Sequence, residues 1–209
     1  LGVVDHHGRI VYGDKLMIIF AREILSRRPG TTFVSEVKCS KTLYDEIERR
    51  GGVAIMGRTG HSLMKARMKE VDAVLAGEMS GHMFFKDRFF GFDDGIYASC
   101  RLLEIIANTN KTIPELLEGV PETCTTPEIR VACPDETKFE VVERAMEEFR
   151  KAGLEVIDVD GARIVFPDGW GLVRASNTQP VLVLRYEAET EERLEEIRQL
   201  VESTIARAQ

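Results

Sequence analysis

The first 109 residues alternate between short apolar runs and longer segments with helical spacing. Leu16, Ile19, Phe20 and Ile24 recur at the interval of one helix face, and this helix is expected to end before Pro29-Gly30. Runs typical of strands are TTFVSEV, VAIMG and DAVLAGE. The segments between and after them that predict helices are SKTLYDEIERRGG, HSLMKARMKE and DDGIYASCRLLEIIANT. This order predicts an α/β domain, a mixed sheet with flanking helices.

A second, smaller domain is expected after residue 120. The stretch GVPETCTTPE, residues 119–128, has two prolines and few apolar residues, as linkers do. Beyond it, EIRVACP predicts a strand, ETKFEVVERAMEEFRKAG a helix, and LEVIDVDGARIVFPDGWGLVRAS three strands joined by turns at VDG and PDG. PVLVLRYEAE predicts another strand, and a final helix starts after Thr190. We therefore predict domains at 1–120 and 121–209, the second an α+β domain whose antiparallel sheet carries helices on one face.

Composition excludes several classes of function. Hydrophobic residues make up 44% of the chain and the net charge is −7, so we expect a packed core and neither nucleic-acid nor membrane binding. No apolar run approaches the roughly 18 residues of a membrane span. The cysteines have no disulfide or zinc-site spacing, which indicates reduced thiols and a cytoplasmic location; they are Cys39, Cys100, Cys124 and Cys133.

The stretch GEMSGHMFF, residues 77–85, contains a candidate binding site. Glu78, Ser80 and His82 alternate, and in an extended segment their side chains would point the same way. A row of hydrogen-bonding groups suits a polyhydroxylated ligand such as a sugar, although a polar surface turn is an equally good interpretation of this stretch alone. Phe84 and Phe85 are interpreted as packing residues.

Polar groups also follow two other predicted strands. Lys38 comes after FVSEV, Thr59-Gly60-His61 come after VAIMG, and Glu78 comes after AVLAG. In open α/β sheets ligands bind beyond the carboxyl ends of the strands. These residues are therefore expected to meet at one edge of the sheet.

The stretch VRASNTQP, residues 173–180, has the composition of an anion-binding loop. Arg174 offers a planar fork to a phosphate, and hydroxyls and unbonded backbone N–H groups would complete the cradle; the residues concerned are Ser176, Asn177 and Thr178. A plain hydroxyl-bonded turn before Pro180 is the alternative. A row for hydroxyls and a cradle for an anion together indicate a phosphorylated sugar, around which the two domains would close.

Four stretches carry a resemblance to a known family. GEMSGHMFF, TGHSLMKARMKE, FGFDDGIYAS and RASNTQPVLVLRYEAE resemble bacterial phosphomannomutase/phosphoglucomutase of the α-D-phosphohexomutase superfamily, and the likeness runs along essentially the whole chain. The family has four domains, and this chain resembles the third and fourth. Its opening LGVVD resembles the segment that follows a magnesium-binding DGDGDR loop in the family, so residues 1–11 are expected to end the preceding domain. LGVVD itself reads as a buried strand.

The resemblance implies a role for each candidate residue. Glu78 and Ser80 would bind the sugar O3 and O4 hydroxyls with His82 beside them, and Arg174, Ser176, Asn177 and Thr178 would hold the phosphate that is not reacting. Lys38 and His61 would lie near the reacting groups as catalytic residues, His61 as a proton carrier because imidazole titrates near neutral pH. Arg58, where the family often has lysine, and Arg185 are further candidates. GEMSGH rather than GEQSGH resembles the mannose and glucose branch, not the glucosamine branch.

The implied reaction interconverts hexose 1-phosphate and hexose 6-phosphate of mannose or glucose. A phosphoserine donates its phosphate, a bisphosphorylated sugar turns over in the site, and the other phosphate returns to serine. The resemblance implies Mg²⁺, whose ligands would lie outside this chain, and glucose 1,6-bisphosphate as activator or intermediate. The partners would be the phosphosugar and the missing N-terminal domains, without which the chain is expected to be inactive. A non-catalytic phosphosugar-binding module, and an interaction domain with incidental polar loops, are the alternatives.

Overall fold

The structure is a computed structural model that describes all 209 residues. It divides into two compact units, Leu1–Pro121 and Glu122–Gln209. No helix combines the length and the apolar character that crossing a bilayer requires. All four cysteines are free thiols.

The first unit contains a two-stranded ribbon, a five-stranded sheet and five helices. In chain order its elements are β1 (Val3–Val4), β2 (Ile10–Val11), α1 (Gly13–Arg27), β3 (Thr32–Glu36), α2 (Lys41–Arg49), β4 (Val53–Gly57), α3 (His61–Glu70), β5 (Leu75–Gly77), β6 (Met83–Phe85), β7 (Phe92–Asp93), α4 (Gly95–Thr109) and α5 (Ile113–Leu116). The strand order of the larger sheet is β4-β3-β5-β6-β7. Strand β3 pairs in parallel with β4 and β5, whereas β6 pairs antiparallel with both β5 and β7. The predicted mixed sheet with flanking helices is confirmed.

Apolar side chains cover both faces of this sheet. Helix α1 is buried along most of its length and shares one core with α2, α4 and one face of the sheet. Met64 and Met68 of α3 pack with Val34, Ala76 and Phe84 into a second core. Phe85 belongs to the first core, because neighbouring residues of a strand point to opposite faces. Both phenylalanines are therefore packing residues, as predicted.

The second unit is an antiparallel sheet with two helices. Its elements are β8 (Cys124–Thr125), β9 (Ile129–Ala132), α6 (Lys138–Lys151), β10 (Glu155–Ile157), β11 (Ala162–Phe166), β12 (Gly169–Ala175), β13 (Val181–Ala188) and α7 (Glu191–Ala208). The strands run β10-β11-β12-β13-β8, and β9 also pairs with β13. Residues of both helices form one core with one face of the sheet, which confirms the predicted α+β architecture.

Helix starts agree with the capping residues in the sequence. Ser40 accepts a hydrogen bond from the N–H of Thr42, and Thr190 accepts one from Arg193. Of the two aspartates that precede α4, Asp93 and Asp94, the second is the N-cap, because its side chain accepts from the N–H of Tyr97. Asp93 is thus available for other contacts.

Two local predictions are wrong. LGVVD is not a buried strand: β1 has two residues, and Val4 is 60% exposed. Residues 78–82 are not extended either. The N–H of Gly81 donates to the carbonyl of Glu78, and the N–H of Glu78 donates to the carbonyl of His82. Gly81 has φ of +94°, which lets the chain reverse here. Glu78 and His82 therefore face each other across a hairpin turn instead of alternating along a strand.

Candidate functional site

The carboxyl ends of three parallel strands meet at one edge of the first unit. Glu36 at the end of β3 pairs with Gly57 at the end of β4, and Ser35 pairs with Gly77 at the end of β5. The segments that follow these strands carry Lys38, Arg58 to His61, and Glu78. The predicted meeting of the strand ends at one edge is thus present. We call this edge, with the hairpin turn at 78–82, the strand-edge site.

Glu36 lies at the centre of the strand-edge site, and sequence reasoning missed it. Its side chain is fully buried. It accepts hydrogen bonds from the hydroxyl of Thr59 (2.8 Å) and the N–H of Met79 (3.0 Å). Burial is the largest influence on the pKa of Glu36 and raises it, and the neighbouring Glu78 raises it further. Lys38 and the two hydrogen bonds lower the pKa, but their effects are smaller, so the pKa lies above its ordinary value. The carboxyl group ties the ends of β4 and β5 to β3. Its position two residues before Lys38, at a predicted strand end, was the available signal.

Lys38 and Arg58 differ in their surroundings. The Lys38 ammonium lies 3.5 Å from a carboxylate oxygen of Glu36, and its side chain is 12% exposed. Arg58 is exposed. The lysine is thus a partly desolvated cation held by a buried acid, whereas the arginine lies in solvent on the neighbouring loop.

Glu78 is buried with part of its hydrogen-bonding capacity unused. One carboxylate oxygen accepts a long hydrogen bond from the hydroxyl of Ser80 (3.4 Å), and the other is buried without a partner. Leaving a buried acceptor unpaired costs about 1–3 kcal/mol. Ser80 is exposed. The pair therefore offers one unpaired carboxylate oxygen and one accessible hydroxyl to a ligand.

Helix α1 supports the turn that carries Glu78. The N–H of Gly13 donates to the carbonyl of Met79. A Cβ at position 13 would lie 2.1 Å from the carbonyl oxygen of Glu78. Only glycine permits this approach of backbone to backbone, so the first residue of α1 fixes where the turn lies.

Two histidines converge on one carboxylate oxygen. Nδ1 of His82 lies 2.7 Å from Oδ2 of Asp93, and Nδ1 of His61 lies 3.6 Å from the same oxygen. The imidazole rings are 4.2 Å apart and roughly perpendicular. The other oxygen of Asp93 accepts from the N–H of Met83. Sequence reasoning gave Asp93 no binding or catalytic role, so its contact with both histidines was missed.

In the second unit, Arg174 lies near the end of β12 and is held by an acid. Its guanidinium contacts Asp160 at 3.1 and 3.5 Å, and both side chains are at least nine-tenths buried. A Cβ on Gly161, whose φ is +82°, would lie 2.4 Å from the carbonyl oxygen of Val173. Glycine thus lets the VDG turn approach β12, and Asp160 in this turn is a further residue that sequence reasoning missed.

The loop after Arg174 is a hydroxyl-bonded turn, so the prediction of unbonded N–H groups is wrong for two of the three residues that it named, Ser176 and Thr178. The N–H groups of Thr178 and Gln179 donate to Oγ of Ser176, and the N–H of Ser176 donates to the carbonyl of Val181. Ser176 is buried, whereas Asn177 and Thr178 are exposed. An anion that binds to the N–H groups of 178 and 179 must displace the Ser176 hydroxyl.

Arg185 lies on a charged, buried face of the second sheet. It pairs with Leu172, and its Nε is buried without a partner. Trp170 is buried on the same strand as Leu172, donates to Glu187 (2.9 Å) and lies under the guanidinium of Arg163 (3.9 Å). Trp170 is thus buried among charged neighbours.

Both units match known domains. Residues 12–124 match "Phosphoglucomutase/phosphomannomutase, alpha/beta/alpha domain III". Residues 128–203 match "Phosphoglucomutase/phosphomannomutase, C-terminal domain". The chain therefore belongs to the phosphoglucomutase/phosphomannomutase family, which confirms the resemblance seen in the sequence.

Several relatives extend this result. The chain is 47% identical over 198 residues to phosphomannomutase/phosphoglucomutase of Pseudomonas aeruginosa, covering 95% of this chain and 43% of that protein. It is 46% identical to a phosphoglucomutase of Neisseria gonorrhoeae, covering 98% of this chain and 45% of that protein. A phosphoglucomutase/phosphomannomutase family protein of Burkholderia thailandensis, known from its crystal structure, superposes with a TM-score of 0.90 at 42% identity, covering 99% of this chain and 44% of that one. This chain thus spans less than half the length of each.

Proposed function

We propose that this chain is the sugar- and phosphate-binding half of a phosphohexomutase that interconverts hexose 1-phosphate and hexose 6-phosphate, with mannose, glucose or both as the sugar. The whole protein would act through a phosphoserine and a bisphosphorylated sugar, with glucose 1,6-bisphosphate as activator or intermediate. This chain would bind substrate but not turn it over, because the phosphoserine would lie in the missing N-terminal domains. Membership of the family and the names of the relatives support this proposal.

The observation that carries the proposal is the unpaired oxygen of Glu78. A buried carboxylate oxygen without a partner accepts a ligand hydroxyl at low cost, because its desolvation has occurred in folding. With the exposed hydroxyl of Ser80 two residues away, it can contact two adjacent sugar hydroxyls. We assign these hydroxyls to O3 and O4 of the sugar. The reaction requires the sugar to bind in two opposite orientations, and both can present O3 and O4 to Glu78 and Ser80 if the ring rotates about an axis that keeps these two hydroxyls in place.

We assign proton transfer at the reacting hydroxyl to the histidine pair. His61 is the residue that the resemblance implies as proton carrier. The 2.7 Å contact with Asp93 favours a share for His82, because a carboxylate that accepts from Nδ1 orients the ring and leaves Nε2 for the substrate. Lys38 would stabilise the negative charge of the phosphate being transferred. Arg58 would add charge without a proton role.

In the second unit, Arg174 with Ser176, Asn177 and Thr178 would hold the phosphate that is not reacting. The Asp160 contact orients the guanidinium fork before the ligand arrives, which lowers the entropy lost on binding. Arg185 is a further candidate for a phosphate contact. Mg²⁺ would neutralise phosphate charge during transfer. We place its ligands outside this chain, since the histidine pair with Asp93 suits an oxygen-seeking ion poorly.

An NMR titration of the 209-residue chain tests the proposal. Mannose 1-phosphate and glucose 1-phosphate are expected to shift amides at 77–82 and at 174–178 saturably. Glu78→Gln should weaken the binding that produces the first set, since a neutral amide is a poorer acceptor for a sugar hydroxyl than a carboxylate. Glu70→Gln, an exposed change on α3, should alter neither set. A coupled assay of the chain alone should detect no mutase activity. Absence of saturable shifts at 77–82 at millimolar ligand would overturn the assignment of Glu78.

A further inference from the structure

The histidine pair and Asp93 have the donor set of a transition-metal site. Three ligand atoms, one each from His61, His82 and Asp93, all lie within 4.8 Å of one another. Both Nδ1 atoms approach the same Oδ2 of Asp93, at 2.7 and 3.6 Å. Neither imidazole belongs to a predicted cysteine–histidine motif, so sequence spacing could not reveal this cluster.

We propose that His61, His82 and Asp93 form a binding site for a late transition-metal ion such as Zn²⁺, with water completing the coordination. Zn²⁺ binds imidazole nitrogen at about 2.0–2.1 Å and carboxylate oxygen at about 2.0–2.2 Å. Two such ligands around one tetrahedral ion lie roughly 3.3–3.5 Å apart by this geometry. The two distances to Asp93 bracket that separation, so modest rotation of the two imidazole rings brings all three atoms into range.

The surroundings allow this rotation and hold the carboxylate still. The side chains of His61 and His82 are 47% and 43% exposed, whereas that of Asp93 is 24% exposed. The N–H of Met83 donates to the Asp93 oxygen that does not face the histidines, which fixes the orientation of the carboxylate. The helix dipole disfavours a cation here, because His61 is the first residue of α3 and the N-terminus of a helix carries partial positive charge. The negative charge of Asp93 offsets this repulsion.

Metal binding requires the lone pair of Nδ1 on His82. The hydrogen that Nδ1 donates to Asp93 is lost to solvent while Nε2 gains one, so the ring stays neutral, and Nδ1 then joins the coordination sphere together with Oδ2 of Asp93. Two nitrogen ligands disfavour Mg²⁺, which selects oxygen ligands and keeps its waters. If the proposed function is right, an occupied site leaves the hydrogen of His82 on Nε2, where the ring can no longer accept a proton from substrate, and the metal ion inhibits the enzyme.

The test measures Zn²⁺ binding by calorimetry on the whole chain, independently of any catalytic activity. Exposed groups that could bind Zn²⁺ elsewhere are first removed by His6→Asn, His7→Asn and Cys100→Ser. In this background we expect one saturable Zn²⁺ site and no heat from Mg²⁺. Asp93→Asn and His61→Gln should each weaken binding by about tenfold or more. Asn at 93 keeps an oxygen for the N–H of Met83.

Long-range nitrogen–proton NMR spectra identify the coordinating atoms. Zn²⁺ should shift Nδ1 of both histidines and leave the amide pattern of the rest of the chain unchanged. Absence of a saturable site in the background protein, or an affinity unchanged in both Asp93→Asn and His61→Gln, would overturn the proposal. None of these measurements involves a sugar. If phosphosugars failed to bind, the proposed function would fail while the metal site could still be confirmed. If Zn²⁺ failed to bind, only the metal site would be overturned.

Discussion

Nδ1 of His82, in the turn that precedes β6, lies 2.7 Å from Oδ2 of Asp93 on the neighbouring strand β7. The carboxylate can hold the ring in one orientation and one tautomer, with Nε2 directed away from it. We predict that Asp93→Asn in the full-length enzyme lowers kcat by about ten- to a hundredfold with little change in KM. The substitution removes the carboxylate that orients the ring of His82, the proposed proton carrier, but removes no contact assigned to substrate binding.

The matched control for this prediction is Asp94→Asn. Asp94 caps α4, and asparagine caps helices about as well as aspartate. The two neighbouring residues thus undergo the same chemical change with different expected effects. Steady-state kinetics in which both variants lose kcat equally would contradict the role assigned to Asp93.

A second prediction concerns the guanidinium of Arg174, which is held by Asp160. Arg174→Lys keeps the positive charge but removes the planar fork that contacts a phosphate through two hydrogen bonds. We expect the affinity for inorganic phosphate, measured by NMR titration of this chain, to fall by about tenfold or more. Arg144→Lys on the exposed side of α6 should leave the affinity unchanged. Equal affinities for the Arg174 variant and the parent chain would exclude this phosphate contact.

A third prediction follows from the raised pKa of Glu36. Burial is the largest cause of the shift away from the ordinary value of 4.5. A carboxyl group whose pKa is raised by folding stabilises the fold below its unfolded pKa, and this contribution is lost as the pH rises through the folded pKa. The free energy of unfolding of the parent chain should therefore fall between pH 5 and pH 8, and Glu36→Gln should make this fall smaller. Urea unfolding at the two pH values measures the fall in both proteins, and an equal fall in parent and variant would refute the prediction.

A fourth prediction concerns acid stability at Glu46. Burial of this carboxyl group acts to raise its pKa, but hydrogen bonds from Arg50, Arg22 and Arg49 outweigh burial and lower it to about 2. Its contribution is therefore complete above the ordinary value of 4.5 and disappears as the pH falls towards 2. Glu46→Gln should cost about 2 kcal/mol of unfolding free energy at pH 7, and less as the pH approaches 2.

The control for Glu46 is Glu48→Gln, an exposed change on the same helix. It should leave the unfolding free energy within about 0.5 kcal/mol of the parent at pH 7. A penalty for Glu46→Gln that stayed constant between pH 7 and pH 3 would show that packing, not ionisation, accounts for it.

Periodicity predicted strands β3 to β5 and helices α1 to α4 in their order, but not the short elements β6, β7 and α5. Helix α1 follows from apolar residues at helical spacing, and Ser40 and Thr190 mark helix starts because their hydroxyls accept from the first turn. The parallel strands placed Lys38, His61 and Glu78 at one edge, since their carboxyl ends must meet there. These features depend on local backbone geometry, which the sequence encodes within a few residues.

The contacts that define the site depended on the tertiary structure. Glu36, Asp93 and Asp160 lie 23, 11 and 14 positions from Thr59, His82 and Arg174, and no local pattern pairs residues at such distances. The turn at Gly81 likewise makes Glu78 and His82 face each other, where alternation predicted a row. Sequence determines which groups reach the edge of a sheet by local periodicity, whereas their partners are set by the packing of segments distant in the chain.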